Sequence, residues 1–211
     1  MHGNSLTFKA FKNSSYNVIG YFWPMLFTLF ITPIIVFRLG LKDYGIYILV
    51  STIISMLGLL DLGLGTAVTK HMAFYFGRKD YTSMNRLAHS ANSLFLVTAI
   101  MGVIITILAV CFGDYLFPEK FEVYRQYSFL ILIAGLIFFF ITINATSWAT
   151  MIAIQRFDIT TKVGMASTML TSMSMLFAVL LGGSLISIFV LQLIITFLIA
   201  VLYFRIVRKI L

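Results

Sequence analysis

Apolar residues fill this chain in six blocks, near residues 16–37, 44–68, 90–112, 127–153, 163–182 and 185–204. Each approaches the ~20 residues that a helix needs to cross a bilayer. Beyond the first block, none alternates apolar and polar positions as a half-buried strand would. The pattern predicts an all-α integral membrane protein, a six-transmembrane-helix bundle over residues 1–211.

Small and polar residues inside the blocks are grouped. A helix advances about 100° per residue, which places Ser51, Ser55, Gly58, Asp61, Gly65 and Thr69 within an arc of roughly 120°. The first block carries Asn17, Gly20, Pro24 and Thr28 on one face, with Pro33 near its outer end, and its prolines predict a bend. The third offers Ala91, Thr98, Gly102, Thr106, Ala109 and Gly113. In the fourth, Gly135, Thr142, Ala145, Thr146, Ala149 and Ala153 share a side, with Asn144 and Trp148 on the other. The fifth has the cleanest stripe, Gly164, Ser167, Thr168, Thr171, Ser174, Ala178 and Gly182, ahead of a tight Gly182–Ser184 turn. Gln192 and Thr196 mark the sixth.

Such stripes have two readings. They let helices approach closely, or they line a polar cleft. Asn17, Ser55, Asn144, Trp148, Thr171 and Gln192 are the cavity-lining candidates, and Trp148 suits either packing or stacking on a sugar.

Composition narrows the class. The chain has 211 residues, of which 61% are hydrophobic and 10% charged, with a mean hydropathy of +1.03. Soluble domains carry about 25% charged residues. The net charge of +8 would suggest nucleic acid in a soluble protein. Here the basic residues lie in short links, where topology accounts for them, and no nucleic-acid partner is expected. With the N-terminus inside, Lys9, Lys12, Lys70, Arg78, Lys79, Arg86, Arg156, Lys162, Arg205, Arg208 and Lys209 face the cytoplasm. Only Arg38, Lys42, Lys120 and Arg125 then lie outside. That excess predicts cytoplasmic N- and C-termini. Lys9 and Lys12 precede an apolar run with no A-x-A-like site, so a retained first span is expected rather than a cleaved signal. The aromatic residues of the 113–126 link (Tyr115, Phe117, Phe121, Tyr124) fit an interfacial belt.

Catalytic chemistry is not assembled anywhere in the sequence. The single cysteine, Cys111, has no disulfide partner and suits a packing role. His71 and His89 read as link residues with no third ligand nearby. No D-x-D pair or Ser/His/Asp set accompanies them, so neither an enzyme nor a metal or organic cofactor is expected. Asp61 is the exception among the spans, because a carboxylate there is costly and usually faces a bundle interior or a water-filled cavity. It is the candidate for coupling to H⁺ or Na⁺. The alternative is that it caps the helix or bonds a neighbouring span, with Gly63 and Gly65 marking a local break. Arg38, at the outer mouth of the first span, and Lys70, at the inner end of the second, are the cations available to an anionic headgroup. Both positions also suit interfacial anchoring.

Two runs carry a family likeness. Arg38, Leu39, Gly40, Tyr44, Gly45, Ile46 and Tyr47 form R-L-G-x-x-x-Y-G-I-Y, and Leu60, Asp61, Leu62, Gly63, Leu64 and Gly65 form L-D-L-G-L-G. They resemble the second-helix region of the polysaccharide (O-antigen, oligosaccharide-lipid) flippases of the multidrug/oligosaccharidyl-lipid/polysaccharide exporter superfamily. The likeness extends from about Ser14 to Lys70 and then weakens to a matching helix pattern. It implies two six-helix lobes that carry polyprenyl-pyrophosphate-linked oligosaccharide across a prokaryotic cytoplasmic membrane by alternating access, for surface polysaccharide synthesis. It also implies that this chain is the N-terminal lobe and meets a second lobe, in the same protein or a partner subunit. Two alternatives stand beside it. One is a drug/cation antiporter of the same superfamily; the other is a non-transporting membrane scaffold in a polysaccharide-assembly complex.

Overall fold

A computed structural model describes residues 3–113 and 121–210 and shows a helical bundle, with no strand among them. The helices are α1 (Gly3–Leu57), α2 (Leu64–Gly77), α3 (Tyr81–Cys111), α4 (Phe121–Ile143), α5 (Ala145–Ala153), α6 (Phe157–Leu180) and α7 (Leu185–Ile210). Among the described residues, five stretches are long and apolar enough to cross a membrane: Thr28–Asp61, Tyr81–Cys111, Tyr127–Ala153, Phe157–Leu180 and Leu185–Val207. The aromatic link near residue 115 falls largely outside the described residues.

The helix boundaries depart from the sequence pattern in three places. The first two expected spans run together as α1, and the interruption falls at Gly40 (φ 79°, ψ 161°), not at Pro24 or Pro33. Only glycine adopts that backbone conformation without strain. The expected second span, 44–68, does not run through. A 3-10 turn over Gly58–Asp61 is followed by two left-handed residues, Leu62 (φ 47°) and Gly63 (φ 80°), before α2 begins. A right-handed helix cannot pass through two such residues. The expected 69–89 link is then almost wholly helical, because α2 runs on to Gly77 and only a short turn around Lys79 separates it from α3. Asp80 caps α3 by accepting the Ser83 N–H at 3.0 Å. Bonds from the Ser83 side chain, and then from its N–H, hold the Asp80 carboxyl below the usual carboxylate range.

Packing is densest between α3 and α4 and between α1 and α6, with α2 against α5 next. Glycines explain the first contact. A Cβ on Gly102 would overlap the Phe138 ring, and one on Gly135 would overlap the Thr106 hydroxyl. One apolar core joins Ile35, Val50, Leu130, Ile137, Val179 and Phe189, and a second joins Val68, Met72, Ala91, Phe95 and Ala149.

The buried polar side chains among the described residues are all threonines. Several donate to their own helix, as Thr98 does to Leu94 O (3.1 Å) and Thr150 to Thr146 O (2.8 Å). That habit makes a hydroxyl tolerable away from water. Conversely, Phe37 (85% exposed), Leu41 (82%) and Leu181 (85%) stand on the outer surface. Apolar exposure on this scale suits lipid and not water.

Candidate functional site

The break in the second span builds a cleft. Where the chain leaves the 3-10 turn, both Asp61 carboxylate oxygens accept the Gly65 N–H at 3.3 Å. The carboxylate therefore satisfies one of the orphan donors in the first turn of α2. A Cβ at Gly65 would lie 3.3 Å from Asp61 Oδ2, so the small residue is what lets the carboxylate approach. One turn on, the Thr69 hydroxyl donates to Gly65 O at 2.8 Å.

Opposite stands α5. Ala145 and Ala149 are small enough to admit α2, and the two helices also meet where the Thr150 hydroxyl, committed to Thr146 O, lies 3.2 Å from the Met72 sulfur. The resulting hollow of about 600 Å³ is lined by Asp61, Gly65, Thr66, Thr69 and Lys70 on one wall. Ala145, Trp148, Ala149 and Ile152 form the other. Trp148 is 43% exposed, and its ring meets buried Tyr203 of α7 edge-on, with centroids 6.1 Å apart. A second hollow of about 590 Å³ lies along α1 by Met25, Thr28, Leu29, Thr32 and Pro33, none of them charged.

Three candidates from the sequence thus meet in one place: Asp61, Lys70 and Trp148. The two charges share the cleft without pairing; the ion pair among the described residues joins Arg156 to Asp158 at 3.1 Å. A carboxylate, an ammonium, two threonines and an indole give the cleft both signs of charge, hydroxyls and an aromatic surface. Among the described residues, no three His, Cys, Asp or Glu side chains gather as a metal-binding group.

The other candidates lie elsewhere. Arg38 is exposed beside the Gly40 interruption. Ser55 donates to Ser51 O at 3.1 Å, above the break, so the Ser51–Thr69 stripe is not one continuous face. Asn144 sits half-buried at the α4–α5 junction. Thr171 of α6 turns its hydroxyl to Ser167 O (2.8 Å) and Thr168 O (3.1 Å). Gln192 of α7 is half-buried. Asn17 lies in α1, with its side chain outside the described residues. Thr66 and the α5 alanines were missed as site residues. The i, i+4 run Asp61–Gly65–Thr69 signalled one wall, but no local pattern pointed to its partner.

No family model matches the chain, and no curated protein or solved structure is significantly similar to it.

Proposed function

We propose that the chain is one lobe of a membrane carrier that moves polyprenyl-pyrophosphate-linked oligosaccharide across the cytoplasmic membrane of a prokaryote by alternating access. The observation that carries this reading is the cleft at the broken second span, where Asp61, Lys70 and Trp148 converge. Discontinuous spans are where carriers place substrate and ion sites, because freed backbone groups and helix ends become available there. In this reading Lys70 meets the pyrophosphate, Trp148 and the threonines meet the sugar, and Asp61 couples transport to H⁺ or Na⁺. Arg38 is the headgroup contact at the opposite mouth, and a second lobe supplies the facing wall. In this reading both termini face the cytoplasm, an orientation that the excess of basic residues in the links supports.

Transport kinetics in vesicles holding the chain with its second lobe test the assignment. Lys70→Gln should raise the apparent KM for lipid-linked oligosaccharide about tenfold or more, the scale of one charge-assisted bond. Trp148→Ala should raise it several-fold. Unchanged KM in both variants would remove the cleft from the substrate path. Transport of lipophilic cations in preference to the pyrophosphate lipid would move the cargo to the antiporter class.

A further inference from the structure

The tip of the α2–α3 hairpin groups basic and aromatic side chains. Arg78, Lys79 and Arg86 are exposed there, together with Phe74, Phe76 and Tyr81. The turn is closed tightly, with Lys79 N–H donating to Phe76 O and Asp80 N–H to Tyr75 O, each at 3.0 Å. The Arg78 guanidinium lies 4.1 Å from the Phe74 ring centroid, and Phe76 meets Tyr81 edge-on at 6.4 Å. Asp80 is the one acidic residue between Lys70 and Arg86, and the α3 cap already engages it.

Basic side chains alone would answer to topology. Here they alternate with exposed aromatic rings, which favour the headgroup level of a bilayer over open water. Stacking on Phe74 also fixes the plane of the Arg78 fork before a phosphate arrives. We propose that the α2–α3 tip is a docking surface for the headgroups of anionic phospholipids, with the rings set at the interface and the cations on lipid phosphate. The surface is separate from the Asp61 cleft and would act whatever that cleft carries. Its charge complements an anionic leaflet, where a basic residue near the surface adds appreciably to attraction.

Native mass spectrometry of the purified chain, titrated with phosphatidylglycerol or phosphatidylcholine, tests this directly. Phosphatidylglycerol should be retained preferentially, and Arg78→Gln, Lys79→Gln and Arg86→Gln should each weaken that retention about fivefold. Combining the three should cost more than tenfold. Arg156→Gln, at the ion pair with Asp158, should change nothing. Raising the salt concentration on the unaltered chain should erase the preference, a measurement that stands even where the triple variant fails to insert. Equal retention of the two lipids, full retention by a folded triple variant, or a preference that persists at high salt would each overturn the proposal.

Discussion

Asp61→Asn in the proposed two-lobe carrier should accumulate at normal membrane levels and lose gradient-driven transport. An amide keeps an acceptor oxygen for the Gly65 N–H that Asp61 now holds at 3.3 Å, and Asn is as good a helix cap as Asp. What it loses is the charge that the proposed coupling would use to bind and release H⁺ or Na⁺ between inward-open and outward-open states. Asp61→Leu removes the acceptor as well, leaving the Gly65 N–H without its side-chain partner, and should lower accumulation. Transport by Asp61→Asn at the parent rate, with Asp61→Leu failing to accumulate, would make the carboxylate purely structural.

Gly135→Leu should be the most damaging change to the fold. Gly135 and Gly102 are buried where α3 meets α4. Thr106 (2% exposed) and Phe138 (3%) leave no space for a side chain on either glycine. Overpacking of this kind costs about 1–3 kcal/mol, and it falls on the densest contact in the bundle. Thermal unfolding in detergent should show a clear fall in Tm. The smaller Gly135→Ala should be partly rescued by Thr106→Ala, because the two positions share one contact. A Gly135→Leu protein that melts with the parent would show that α3 and α4 do not approach as described.

The sequence revealed the helices more readily than their breaks. Runs of Leu, Ile, Val and Phe leave few alternatives to membrane-length helices, so Tyr127–Ala153 and Leu185–Val207 fall close to the expected 127–153 and 185–204. Tyr81–Cys111 and Phe157–Leu180, by contrast, begin well before the expected 90 and 163. Gly63 and Gly65 hinted at a break, yet the left-handed pair includes Leu62, which no propensity marks. Gly40 interrupts α1 in a single residue where a charged loop was expected, because one glycine can supply the whole change of backbone conformation.

Stripes of small residues were legible as stripes, but not as partners. Nothing local says that residues 61–70 face residues 145–152, since that pairing is a tertiary contact. The α6 stripe marked Thr171 as a cavity residue for the same reason. Its hydroxyl donates within its own helix, as those of Thr168, Ser174 and the cleft-lining Thr69 also do, so that bond does not decide whether it faces a cavity.

The most direct test of the cleft as the transport site is thiol reactivity at Thr69, which lines it one turn beyond Gly65. In a Cys111→Ser background, Thr69→Cys should react with a water-soluble maleimide, and lipid-linked oligosaccharide should slow that reaction. Ser55→Cys, above the break and outside the cleft, should gain no such protection. A Thr69→Cys thiol that the reagent never reaches, or that reacts at the same rate with and without the oligosaccharide lipid, would contradict the account.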